Sequence, residues 1–214
     1  MARETLVCFA VKEECQFFRK LTTGHPEIRV LVTGMGGKNA EKSVRQVLGN
    51  SPSGRVLTCG FAGGLRPGLR RGTVLFADAE GTGLEQALCK AGAVPGRFHW
   101  AAHVITSPAE KQRLRASTGA DAVEMESFVI CGVCRELGIP SATVRVILDE
   151  AQEELPLDFN QLLTKDLQID PRKLAFALLK SPAKIRDLLS LRKQSQFAAK
   201  ELGQVLASAL GCAA

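Results

Sequence analysis

The feature that most restricts this chain is a recurring unit: a short β-rich apolar run, a glycine or acidic residue, then a segment with helical spacing. Residues 5–11 (TLVCFAV), 29–32, 56–59 and 142–148 are strand-sized and rich in β-branched or aliphatic side chains. Residues 12–21 and 40–48 place their apolar positions on one helical face, which in the second case carries Val44, Val47 and Leu48. Residues 73–77 read as a strand after the turn at Pro67-Gly68, 81–96 as a short helix and loop, and 104–106 as a further strand. Ser107, with Pro108 behind it, opens a helix over 108–117. A helix from Glu124 to Leu137 stops at Gly138, with Pro140 just beyond. Strands alternating with helices call for an α/β fold: a three-layer sandwich whose central mixed, mostly parallel sheet is flanked by helices. Functional loops then gather at the carboxyl ends of the strands.

A chain of 214 residues buries one substantial core, so residues 1–214 are expected to form one domain with a basic helical C-terminal extension from about 171. The formal charge of +6 belongs mainly to that extension, because residues 171–200 hold eight Lys or Arg against the single acid Asp187. The body is closer to balanced, which argues against a nucleic-acid partner. Seven cysteines, an odd number set mostly in apolar runs, point to reduced, buried thiols. With no apolar run near the roughly 20 residues of a membrane span and no export signal, the expected address is the cytoplasm.

Four places could carry chemistry. In VTGMGGKNAE the glycines from Gly34 to Gly37 sit between strand and helix, where bare amides could hold an anion or approach a sugar. Asn39 stands where a dinucleotide fingerprint needs its third glycine, and the next strand ends on Cys59-Gly60 without an acid, so NAD is not expected. Gly60-Phe61-Ala62-Gly63-Gly64 is a second glycine-rich strand end, as consistent with a turn as with a ligand platform. Glu124-Met125-Glu126 puts two carboxylates at a helix start, where the helix dipole alone would favour them; their apolar neighbours nevertheless imply burial. Asp149 follows VRVIL and should lie at the sheet rim, as a turn former or as a desolvated acid. Cys131 and Cys134 form a CxxC without a second pair, and His99 and His103 lack an intervening glutamate, so no metal is expected.

In order along the chain, AVKEE, VTGMGGKNA, GFAGGLRPGLRRGTVLFAD, AVEMES and VRVILDEA resemble the nucleoside phosphorylase and methylthioadenosine/adenosylhomocysteine nucleosidase superfamily over residues 5–152. TSPAEKQRLRASTGADAVEMES and LLKSPAKIRDLLSLRK are similar to phosphorylase-like proteins associated with hopanoid biosynthesis, thought to remove adenine from adenosylhopane. The resemblance implies cleavage of the N-glycosidic bond of a purine nucleoside or 5′-substituted adenosine. It casts Asp149 as the acid that protonates the departing base and Glu14 as the residue that positions and deprotonates water. Glu126 and Met125 would hold the ribose with Glu124 beside them, and Gly34, Phe61, Ala62 and Gly63 would line the substrate. No cofactor is implied, although phosphate would be a co-substrate if the reaction is phosphorolysis, and a homo-oligomer is expected.

The departures bear on substrate and nucleophile. Phe61 replaces a serine of the nucleosidases, Leu148 replaces the serine before the acid, and Ser107-Pro108-Ala109-Glu110 lacks the aromatic that stacks on the base. The short stretch between Asp78 and Asp121 implies an open pocket for a bulky 5′ group. The phosphate motif of hexameric phosphorylases is absent while Glu14 is present, leaving phosphorolysis and hydrolysis both open. A protein that keeps the fold and binds nucleosides without turnover is the competing reading. The extension, with Leu178, Leu179, Ile185, Leu188, Leu189 and Leu191 among Lys180, Lys184, Arg186, Arg192 and Lys193, is either an anionic-membrane contact or a helix packed on the core.

Overall fold

The computed structural model describes residues 4–51, 53–162, 164, 170, 173 and 184–212. The first strand, β1 (Thr5–Phe9), is buried throughout, and its alternating side chains supply two cores. Val7 and Phe9 join one apolar cluster with Cys15 and Phe18 of α1 (Lys12–Leu21). Leu6 and Cys8 join another with Ala40, Val44 and Leu48 of α2 (Gly37–Asn50). A strand buried on both faces must be covered by helices on both sides, which is the layering expected from the sequence.

Eight strands build one sheet: β1, β2 (Ile28–Val32), β3 (Arg55–Gly64), β4 (Val74–Ala77), β5 (Val94–Pro95), β6 (Phe98–Trp100), β7 (Ala122–Glu124) and β8 (Ser141–Asp149). The main order is β2-β1-β3-β8-β4-β5, with β1, β2, β3 and β8 mutually parallel and β4 antiparallel to β8. The mixed, mostly parallel sheet is therefore as expected. Helices α1, α3 (Glu85–Lys90) and the last helix cover one face; α2 and α5 (Ser127–Glu136) cover the other. Helix α4 (Pro108–Thr118) starts as anticipated, with the Ser107 hydroxyl accepting from the Glu110 amide, and α6 (Phe159–Leu162) is a single turn.

Three local expectations are corrected. Gly60–Gly64 is not a turn after the third strand but its continuation, because β8 pairs with β3 from Val56 as far as Gly63. Residues 104–106 are not a strand; β6 lies just before them and pairs with β7. Glu124 is not helical: it ends β7, and the helix begins at Ser127. In that last case the pairing of β7 with β6, Trp100 opposite Glu124, and with Gly63 and Gly64 overrides the helical spacing of the acids.

The C-terminal helix α7 (Lys184–Ala209) resolves into two halves. Ala198, Ala199, Leu202 and Leu206 are fully buried in the α1 side of the core, so this half is a layer of the sandwich. Gly203 lets it approach closely, since an added Cβ would meet the Phe18 backbone nitrogen at 3.0 Å. In the first half Leu188 and Leu191 face a cavity, while Ile185 and Leu189 are exposed. The basic residues 172 and 180 and the apolar 178 and 179 lie outside the described residues. No helix among the described residues is long and apolar enough to cross a membrane.

Candidate active site

A cavity of about 460 Å³ opens at the carboxyl ends of β1, β3 and β8. Its wall brings together Glu14, Phe61, Ala62, Gly63, Glu124, Met125, Glu126 and Asp149, residues up to 135 positions apart in the chain. Gly34 does not line it. With φ +86° that glycine turns the chain so that its neighbour Met35 supplies the wall.

Each acid is held by a different element. Glu14, in the first turn of α1, reaches back so that Oε2 accepts from the Ala10 and Val11 amides at 2.9 and 3.1 Å, while Oε1 accepts from Phe61 N at 2.8 Å. This fastens the start of α1 to β3. Glu124 Oε2 accepts from the amides of Glu126 and Ser127 at 2.9 and 2.7 Å, satisfying free donors at the start of α5. Glu126 Oε1 accepts from Gly36 N at 2.9 Å, tying the first glycine loop to the site.

Beneath them runs a residue whose importance the sequence pattern did not bring out. Arg145, in the centre of β8, is 1% exposed, and its Nη2 lies 2.7 Å from Glu124 Oε2 and 3.3 Å from Glu126 Oε2. It also donates to Thr58 and Ser127 hydroxyls at 3.2 Å each. Glycine is required above it. A Cβ on Gly60, at φ +151°, would stand 2.5 Å from Glu14 Oε1 and 2.7 Å from Arg145 Nη1. The signal for Arg145 was present: a cation inside VRVIL cannot be buried without partners.

Asp149 sits on the opposite wall, buried, and its Oδ2 contacts the ammonium of Lys111, which is itself fully buried. Lys111 was missed because nothing distinguishes it from its neighbours in KQRLR. Burial raises the Asp149 carboxyl, opposed by Lys111. Burial likewise raises Glu126, with Arg145 opposing and Glu124 adding to the rise. Glu14 is pushed up from 4.5 to about 7, first by burial, with Arg145 opposing and Glu126 adding to the rise. It therefore titrates near neutrality, as a group that accepts a proton and releases it should.

These shifts have a consequence for stability. A carboxyl whose pKa is raised in the folded state binds more protons there than when unfolded, so its contribution is complete below about 4.5 and is lost as pH rises through about 7. Glu126 and Asp149 act in the same direction. Urea denaturation should show a midpoint that falls between pH 5 and 8, with a shallower fall in Glu14→Gln. Parallel profiles for the two proteins would remove Glu14 as a source of the slope.

The fold and this cavity define an α/β protein whose buried acids gather at the carboxyl ends of its strands. The profile of the phosphorylase superfamily matches residues 82–180 of the chain. It is 24% identical over 185 residues to the 5′-methylthioadenosine/S-adenosylhomocysteine nucleosidase of Anoxybacillus flavithermus, covering 71% of this chain and 79% of the relative. A shorter match, 36% identical over 64 residues, links it to the aminodeoxyfutalosine nucleosidase of Helicobacter pylori, spanning 30% of this chain and 28% of that one. Among solved structures, a mutant methylthioadenosine nucleosidase of H. pylori with 5′-methylthioadenosine in its active site aligns with a TM-score of 0.70 at 18% identity, over 96% of this chain and 99% of that one. The Colwellia psychrerythraea nucleosidase in complex with adenine gives a TM-score of 0.70 at 18% identity, over 99% and 96% of the two chains.

Proposed function

We propose that this chain is a nucleosidase that releases adenine from a 5′-substituted adenosine, with water as the nucleophile. The observation that carries the reading is the convergence of Asp149, Glu14, Met125 and Glu126 on one cavity. Breaking an N-glycosidic bond leaves positive character on the sugar and negative charge on the base. Asp149, whose carboxyl is raised by burial against the opposing pull of Lys111, supplies the proton that neutralises the base as it departs. Glu126 accepts from the ribose hydroxyls and, with Met125 against the sugar, stabilises the cationic ring. Glu14 orients water and takes its proton, for which a carboxyl titrating at about 7 is suited.

Water is favoured over phosphate by charge. Glu14, Glu124 and Glu126 surround the nucleophile's side, and Arg145, the cation beneath them, is already paired to Glu124 and Glu126. On that side an incoming phosphate would meet three carboxyl groups and a cation already engaged by two of them.

The mouth of the cavity speaks to the 5′ group. Val104, Ile105, Leu155, Phe159, Leu188 and Leu191 line it, and apart from the buried Ile105 they are only half-buried. A wall this apolar selects a bulky hydrocarbon substituent, and adenosylhopane, implied by the resemblance in the tail, fits that description. Adenine release should be measured from adenosines with lengthening alkyl groups at the 5′ position, with and without phosphate. The expected result is a phosphate-independent rate whose kcat/KM rises by about fourfold per buried methylene. A strict phosphate requirement would overturn hydrolysis. Binding without release from any member would leave the non-catalytic reading.

A further inference from the structure

Lys111 is the one fully buried lysine among the described residues, and the chemistry above does not use it. Its ammonium has three protons and meets three acceptors: Asp149 Oδ2, the Glu150 carbonyl at 2.7 Å and the Glu153 carbonyl at 2.9 Å. The two carbonyls belong to the turn that follows β8, so a side chain from the first turn of α4 fixes both the acid and the backbone leading away from it. A buried lysine satisfied this fully, on a helix whose other basic residues, Arg113 and Arg115, are exposed or only partly buried, is placed for more than packing.

We propose that Lys111 is a positioning residue for the acid, holding Asp149 through Oδ2 so that Oδ1 is left to face the departing base. This rests on the reading of Asp149 as the proton donor. In the step, the sugar C–N bond breaks and its electron pair stays with the base, which takes the proton of Asp149. The carboxylate left behind lies against the Lys111 ammonium, which stabilises it and so strengthens the acid. Water adds hydroxyl to the sugar carbon and gives its proton to Glu14. Solvent then returns Glu14 and Asp149 to their starting states, so one water is divided between base and sugar.

The charged groups facing Asp149 are Lys111 from α4, Arg71 from the turn before β4 and Glu153 from the turn after β8. Arg71 is engaged by both Glu153 oxygens, at 2.7 and 2.6 Å, and by the Leu148 carbonyl at 2.7 Å. On β3 and β7 the neighbours Gly63 and Val123 are uncharged. Lys111 is thus the cation in direct contact with the acid.

The test uses Lys111→Met and Lys111→Gln in the full chain, the glutamine keeping donors toward the two carbonyls while removing the charge. Two substrates are compared: a 5′-alkyl adenosine, whose base must be protonated, and p-nitrophenyl riboside, whose leaving group needs no proton. Without the ammonium a protonated Asp149 should persist to higher pH. The alkaline limb of kcat/KM on the adenosine should therefore move up by about 1 to 3 pH units in both variants. At neutral pH kcat on the adenosine should fall on the order of 10-fold or more, with KM and nitrophenyl cleavage little changed. Equal losses on both substrates with an unmoved limb would make Lys111 a structural prop and overturn the proposal. If Lys111→Met does not fold, the same two readouts on Lys111→Gln decide it. A wild-type protein that cleaves nitrophenyl riboside and no adenosine would instead overturn the role of Asp149, and this inference with it.

Discussion

Asp149→Asn should lower adenine release by on the order of 10²- to 10⁴-fold while leaving the fold in place. The amide matches the carboxyl in shape and can still accept from Lys111, but it has no proton to transfer. Lys111 also keeps the Glu150 and Glu153 carbonyls, so its ammonium is not orphaned. The loss should fall on kcat, since the base is bound before it leaves and the missing interaction is made only as the bond breaks. A riboside with a self-sufficient leaving group should be cleaved almost as well by the variant as by the wild type. Circular dichroism and a thermal midpoint close to the wild type would show that the damage is chemical. Turnover of adenosines within a few-fold of the wild type would remove Asp149 from the mechanism.

The sequence made the layering of this protein legible because β1, β3 and β8 are buried on both faces, and such strands read as continuous apolar runs. It was less informative where short pairings decide. Ala122–Glu124 is a strand because Phe98–Trp100 lies along one side of it and Gly63 and Gly64 along the other, contacts between residues about 24 and about 60 positions apart that no local spacing encodes. The same holds for Gly60–Gly64, where glycines that would elsewhere make a turn continue a strand, for room rather than for bending. Gly60 gives the Glu14 carboxylate and the Arg145 guanidinium the space a Cβ would fill. Among the site residues, Glu14, Glu126 and Asp149 could be anticipated from the resemblance, as carboxylates at strand and helix ends. Their buried partners could not be placed in the same way. Arg145 looked like a polar interruption of a strand and Lys111 like one of several bases on a helix, because a cation's partners are a tertiary fact.

The largest effect on stability is expected at Arg145. Its guanidinium is 1% exposed and is shared by Glu124 and Glu126, with Glu14 close enough to add to its electrostatic setting. In Arg145→Met a side chain of similar length fills the space, but buried carboxylates are left facing one another without a cation. Breaking a buried pair by removing one partner costs about 3–5 kcal/mol, because an uncompensated charge remains. For a chain of this length each kcal/mol lowers Tm by about 2–4 °C, so a drop near 10 °C is expected. The loss should also depend on pH with a definite sign. Arg145 opposes the rise of Glu14 and Glu126, so without it both hold protons more tightly in the folded state and stability falls more steeply as pH rises. Urea midpoints at pH 5 and pH 8 should therefore show the variant close to the wild type at the lower pH and far below it at the higher. A deficit equal at both would mean that Arg145 contributes packing alone. The pH-dependent deficit is the expected one because the carboxylates that make this site suited to a cationic sugar are the ones the sheet can hold together only by placing a guanidinium beneath them.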